Sequence, residues 1–245
     1  MARFFVEPHH INDDQALITG ADAKHIIKVL RLKTDELVTI LDGNGNKYQG
    51  TIKEINRDTV MLHLGSKQQA LGQAPISITL AQCLPKGDKL ELVIQKGTEL
   101  GVDHFVPLRC TRSVVKLDHK KGLERRERWQ RVAMEAAKQC RRPTIPQVHQ
   151  PRDLVTLLSG APANALILMP FEEEIGSLKA VLDNRCSANE IYIIIGPEGG
   201  FDPEEVALAK DYGAQTVSLG PRILRTETAG LALVSVLMHR YGDLG

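Results

Sequence analysis

Apolar and polar positions change their rhythm near residue 75. Before it, spacing is mostly of period two. Glu36 to Leu41 alternates and runs into Asp42-Gly43-Asn44-Gly45-Asn46, a hairpin turn signal. Lys47 to Ile55 and Thr59 to Leu64 predict further strands, joined by the polar Asn56-Arg57-Asp58. One helix is expected at Ala21 to Leu30, where Ile26, Ile27 and Leu30 fall on one face. These elements predict a small β-barrel with a helix at its side over residues 1–70. Ser66 to Pro75, rich in Gln, Gly and Ala, has too little apolar content to pack and reads as a linker, with the connection itself at 71–75. From Ile76 the pattern becomes alternating strand and helix, the signature of an α/β domain with a parallel sheet over 76–245. Strands are expected at 76–83, 104–108, 164–169, 190–196 and 215–219, and helices at 87–101, 122–140, 151–159, 174–184, 203–212 and 226–240.

The last helix is apolar nearly all round (Leu231, Ala232, Leu233, Val234, Val236, Leu237, Met238), so its own domain or a partner subunit should cover several of its sides. Just before it lie two loops of unusual composition. Gly196-Pro197-Glu198-Gly199-Gly200 follows the apolar run Ile191 to Ile195, and Leu219-Gly220-Pro221-Arg222-Ile223-Leu224-Arg225-Thr226-Glu227-Thr228-Ala229 follows Thr216 to Leu219. Glycine lets backbone polar groups approach a ligand and proline fixes φ beforehand. Two such loops at the carboxyl ends of neighbouring parallel strands predict a small-molecule crevice.

Charge is nearly balanced at +1, yet residues 109–142 hold 12 Lys/Arg against 4 Asp/Glu, a local excess of +8 that leaves −7 elsewhere. A basic segment on a mildly acidic body suits a polyanion-binding face, although a solvated helix face would read the same. Cysteines at 83, 110, 140 and 186 have no metal-ligand spacing and are expected as reduced thiols of a cytoplasmic protein. The start lacks a signal-peptide core, and no apolar run approaches the ~18 residues of a membrane span.

Neither loop has dinucleotide or phosphate-loop spacing. Asp202 and Pro203 are expected to cap and open the helix that follows the first loop, a structural role. In the second loop Thr226 and Thr228 could cap the final helix and Glu227 could complement its dipole. Arg225 is different: a cation at a helix start opposes the dipole, which suggests a task such as holding an anionic group.

Both loops resemble those of the SPOUT methyltransferases, and more narrowly of the ribosomal RNA small-subunit uracil-N3 methyltransferases, the RsmE family. His25 to Arg31, Lys86 to Arg112 and Glu135 to Pro143 match as well, so the resemblance covers essentially the whole chain in order. It implies a PUA-like RNA-binding barrel followed by a SPOUT domain whose C-terminal segment forms a trefoil knot. It also implies a homodimer, S-adenosylmethionine as cofactor, and small-subunit (16S) ribosomal RNA, within the 30S subunit, as partner. Mapped onto this sequence, the cofactor pocket would comprise Met169, Pro170, Gly196, Pro197, Glu198, Gly199, Gly200, Leu219, Gly220, Ile223, Leu224, Arg225, Thr228 and Ala229. Ile223 and Leu224 would cover the faces of the adenine.

Uracil N3 is a poor nucleophile until its proton leaves, and the departing proton puts negative charge on the ring oxygens. Arg225 is the expected electrostatic stabiliser, and Glu227 the proton acceptor, the orienter of the arginine, or merely a helix-start carboxylate. No metal is expected in the chemistry. On the 122–142 helix Trp129, Val132, Ala133, Ala136 and Cys140 form an apolar stripe, with Trp129 read as core, while Arg125, Arg128, Arg131, Lys138 and Arg142 line the other side. Those arginines, with Arg31, Lys86, Arg109 and Arg112, are the candidate RNA contacts. The rivals are a sibling knotted enzyme with another target and a non-catalytic RNA-binding or assembly factor.

Overall fold

The computed structural model describes residues 1–70, 74–113, 115, 117–172, 174, 176–185, 187 and 189–245. Two compact units emerge, Met1–Gln73 with Ala137–Ile145, and Ala74–Ala136 with Pro146–Gly245. The first thus also takes in the end of the long basic helix.

In the first unit β1 (Arg3–Phe5), β2 (Ile11–Asn12), β3 (Gln15–Thr19), β4 (Leu37–Leu41), β5 (Asn46–Ile55), β6 (Thr59–Leu64) and β7 (Gln68–Gln69) form one sheet. Its order is β1-β4-β5-β6-β3-β2, with β7 on β5. The expected hairpin joins β4 to β5, and Asp42 organises it by accepting hydrogen bonds from the Asn44 and Asn46 amides and from the Asn46 side chain. Alternation turns Ile18, Val38, Ile40, Ile52, Val60 and Leu62 into one buried core. The expected helix is α1 (Gly20–Lys24), which widens into a π-helical turn over His25–Leu30 and buries Ala23 and Ile26. Gln68–Gln69, expected to be linker, instead add a short strand, because an edge of β5 is free to pair there. Residues 71–73 of the expected 71–75 connection lie outside the described residues.

The second unit carries β8 (Ser77–Cys83), β9 (His104–Arg109), β10 (Gln147–Val148), β11 (Arg152–Asp153), β12 (Leu166–Pro170), β13 (Glu190–Ile195) and β14 (Gln215–Val217). All its pairs are parallel, in the order β10-β9-β8-β13-β12-β14 with β11 on β9. Between the strands run α2 (Lys89–Glu99), α3 (His119–Cys140), α4 (Leu154–Ser159), α5 (Leu178–Asp183) and α6 (Pro203–Asp211), and α7 (Thr226–Tyr241) follows β14. One face of the sheet packs with α2 and α7 around Leu80, Ile94, Phe105, Ile193, Leu233 and Leu237, and the other with α4 and α6. Both faces are covered, which is why these strands read as apolar runs. Trp129 belongs to the first of these cores, as expected. The unit itself covers most of α7 and leaves Val236 exposed.

The cysteines correct one expectation. Cys83 and Cys110 form a disulfide, with Cα atoms 6.1 Å apart, and are not two reduced thiols. Their separation of 27 residues gave no signal, because it is the pairing of adjacent strands β8 and β9 that brings them together. Cys140 is free, and Cys186 lies outside the described residues. Among the described residues no helix is long and apolar enough to cross a membrane.

Candidate active site

Parallel pairing sends every strand of the second sheet towards the same edge. β13, β12 and β14 are neighbours, so the segments leaving them converge there. They surround a cavity of about 900 Å³, floored by Ile195 and Phe201 and walled by Pro170–Glu172, Gly196–Glu198 and Ser218–Glu227. That volume falls within the ~300–1,000 Å³ of small-molecule and cofactor pockets.

The first loop is clamped from several sides. Asp202 accepts from the Glu204 amide and shares a capping box with Glu205, and Pro203 opens α6, as the sequence predicts. The Glu205 carboxylate also accepts from the Thr111 amide, while Arg112 reaches the Gly199 carbonyl at 3.4 Å and Asp202 at 3.3 Å. Gly196 allows a close approach, since a Cβ there would stand 2.9 Å from the Phe201 ring. Gly200 has φ +70°, and a Cβ there would meet the Glu172 carboxylate at 2.7 Å.

The second loop is tied to the first by Thr226. Its hydroxyl donates to the Gly196 carbonyl at 2.6 Å and accepts from Gln82 Nε2 at 2.7 Å. Thr226 is therefore a cross-link between strand ends, and it makes no side-chain cap on α7. Arg225, at the N-cap of α7, is exposed, lines the cavity and has no ion pair among the described residues. Glu227 lines it too, with its side chain only 15% exposed. The Lys89 ammonium stands 3.3 Å from Glu198 and 3.4 Å from Glu227. Burial raises the Glu198 pKa, but hydrogen bonds from its own amide and that of Lys86, with the Lys89 ammonium, outweigh this and hold it below the ordinary value.

Of the sequence-predicted pocket residues, Pro170, Gly196, Pro197, Glu198, Gly200, Leu219, Gly220, Ile223, Leu224, Arg225 and Ala229 line the cavity. Met169 is instead fully buried in the sheet core, and Gly199 and Thr228 are not in the wall. Ile223 is 91% exposed, an apolar side chain with nothing packed over it, whereas Leu224 leans on the core. Sequence reasoning missed Lys89, Gln82, Phe171 and Glu172. Lys89 carried a readable signal, the one that singled out Arg225: a cation at the start of a helix.

The candidate RNA contacts are placed variously. Arg125 and Arg131 are exposed on α3 without ion pairs among the described residues. Arg128 is paired with Glu91 at 2.7 Å and Asp88 at 3.7 Å, and Arg109 stands 4.0 Å from Asp153. Arg112 is engaged in clamping the first loop. Lys86 is exposed beside the cavity edge, with its amide on Glu198. Arg31 (φ 53°, exposed) and the half-buried Arg142 belong to the first unit. Among the described residues no group of three or more His, Cys, Asp or Glu is placed to hold a metal ion.

A family model described as an RNA methyltransferase domain matches residues 72–238, and one described as an RNA methyltransferase PUA domain matches residues 18–64. The chain is 35% identical to ribosomal RNA small subunit methyltransferase E of Bacillus subtilis, over 98% of this chain and 97% of that protein. It is 34% identical to the protein of the same name from Synechocystis, over 97% of this chain and 78% of the relative. The crystal structure of that methyltransferase from Neisseria gonorrhoeae, bound to S-adenosyl methionine, superposes with a TM-score of 0.86 at 28% identity and covers 100% of both chains. The chain belongs to the RNA methyltransferase family that includes ribosomal RNA small subunit methyltransferase E.

Proposed function

We propose that this protein transfers a methyl group from S-adenosylmethionine to N3 of a uridine in small-subunit (16S) ribosomal RNA. The observation that carries this reading is that Arg225 and Glu227, a cation without an ion pair among the described residues and a sequestered carboxylate, line one glycine-walled cavity. The residues fit the cofactor: two glycine-bearing loops wall the cavity, and the bare Ile223 side chain offers an apolar face to an adenine ring. Pro170, Gly196–Gly200 and Leu219–Ala229 would hold it. When bound, it supplies a methyl group already activated on a sulfonium.

The protein's own tasks are then alignment and the handling of one proton. Arg225 stabilises the negative charge that develops on the uracil oxygens, and Glu227 accepts the N3 proton. N3 lies on the Watson–Crick edge, so the target base must be unstacked from its neighbours. Arg125 and Arg131, exposed on α3, suit phosphates, which position the RNA without reading its sequence. The reading further includes a PUA-like RNA-binding domain over residues 1–70, a C-terminal trefoil knot in a SPOUT domain over 76–245, a cytoplasmic homodimer, and no metal in the chemistry. Exposed Leu92 on α2 and Val236 on α7 are apolar positions available to a second copy.

Incubation of 30S subunits and of naked 16S RNA with methyl-labelled cofactor, followed by nucleoside analysis, tests the proposal. Label in 3-methyluridine supports it. Label in another nucleoside points to a sibling activity, and no incorporation in either substrate points to a binding or assembly factor.

A further inference from the structure

Lys89 stands at the first position of α2, where the helix dipole disfavours a cation. Its ammonium is nevertheless held there, between carboxylates from two different cavity loops, Glu198 at 3.3 Å and Glu227 at 3.4 Å. The two contacts differ. Lys89 donates a hydrogen bond to Glu198, while its contact with Glu227 is an ion pair to Oε2, a buried oxygen that accepts no hydrogen bond among the described residues. A buried carboxylate oxygen needs a counter-charge, and the ammonium supplies it. This one belongs to a residue that lines the cavity.

We propose that Lys89 is a positioning residue that holds the Glu227 carboxylate by its Oε2 in register with the first loop, so that the carboxylate takes the proton from an imide N–H of the substrate base. The proposal rests on the reading of Glu227 as proton acceptor and adds the group that aims it. The N–H bond breaks, its proton passes to the Glu227 carboxylate, and its electron pair stays on nitrogen to form the bond to the methyl carbon. The electron pair of the breaking S–C bond goes to sulfur. Lys89 gives up no proton, because Glu198 continues to pair with it.

The test is a double-mutant cycle with Lys89→Met, which keeps the aliphatic stem, and Glu227→Gln. Single-turnover methylation of RNA and cofactor affinity by calorimetry are the two readouts. Lys89→Met should slow single-turnover methylation by about 10–100-fold, the scale of a displaced catalytic group. Its cofactor Kd should stay within about threefold, since a positioning role need not alter binding. Lys89→Arg should recover most of the rate. The double variant should be no slower than Glu227→Gln alone, because Lys89 acts through Glu227. Additive losses, or a loss of cofactor affinity as large as the loss of rate, would mean that Lys89 only braces the loops, and would overturn the proposal. The reading beneath it fails separately: a Glu227→Gln protein as fast as the parent removes Glu227 as acceptor, whereas an inactive Glu227→Gln beside a fully active Lys89→Met sinks only the role of Lys89. Melting curves of each variant, expected to match the parent, exclude misfolding as the source of any loss, and Lys89→Gln serves in the cycle if Lys89→Met melts early.

Discussion

The Thr226 hydroxyl donates to the carbonyl of Gly196 at 2.6 Å, binding the start of α7 to the end of β13 across thirty positions of chain. The same oxygen accepts from the side chain of Gln82 at the end of β8, so three strand-end segments meet in one buried relay. The two cavity loops are therefore not independent.

Thr226→Val removes the hydroxyl at nearly constant volume and leaves a partly buried carbonyl and a buried amide without their partner. A loss of about 1–3 kcal/mol in unfolding free energy is expected, the cost of stranding such groups. Urea titration measures it. Thr226→Ser should retain most of the stability, and equal losses in the two variants would mean that the γ-methyl, not the hydrogen bonds, matters.

Gly196 tests the close approach. Gly196→Ala places a methyl group 2.9 Å from the Phe201 ring, itself 3% exposed and packed among Ile194, Met169 and Val206. Overpacking of this kind costs about 1–3 kcal/mol. Because Phe201 also lines the cavity, its displacement should weaken S-adenosylmethionine binding in calorimetry. The clash is with the aromatic floor, so Phe201→Leu in the Gly196→Ala background should return part of the stability.

The periodicities made the strand and helix alternation legible, because apolar runs such as Ile191–Ile195 and amphipathic stripes such as Trp129–Ala133–Ala136 follow from burial alone. The glycine loops were legible as a site for the same local reason. What stayed hidden is long-range. The Gln82–Thr226–Gly196 relay joins residues up to 144 positions apart, and the Cys83–Cys110 bond depends on which strands are neighbours. Met169 illustrates the converse: a residue adjoining a lining residue in sequence points to the other side of its strand and is lost to the core.

Arg225 lines the cavity without an ion pair among the described residues, so its removal should cost little elsewhere. Arg225→Ala is expected to lower kcat by about 10²–10³, the range for loss of one preorganised oxyanion donor. S-adenosylmethionine affinity should change little. Equal losses in turnover and in cofactor affinity would assign Arg225 to binding and not to the transition state.

The arginines of α3 differ in what their replacement reports. Reversing Arg128 would also break its pairs with Glu91 and Asp88, mixing stability with binding. Arg125→Glu and Arg131→Glu are the cleaner pair. Each should weaken RNA binding and flatten the log Kd against log salt slope by about 0.7–0.9 if it neutralises one phosphate. Filter binding at several salt concentrations decides the matter, and an unchanged slope would leave these side chains as a solvated face.

His149 supplies the acid dependence of stability. Its ring is partly buried, with Arg152 at 3.4 Å, His104 at 3.3 Å and Arg126 nearby. Burial first, and then electrostatic repulsion from Arg152, His104 and Arg126, lower its pKa from 6.5 to about 4. Between those values the unfolded chain binds a proton there and the folded chain does not, so the folded state loses ground as pH falls through that window and gains nothing from this group above it. In His149→Gln the urea midpoint should therefore fall less between about pH 7 and about pH 5 than in the parent, since the side chain that attracts the extra proton on unfolding is gone. Parallel declines in the two proteins would show that the acid sensitivity originates in other groups.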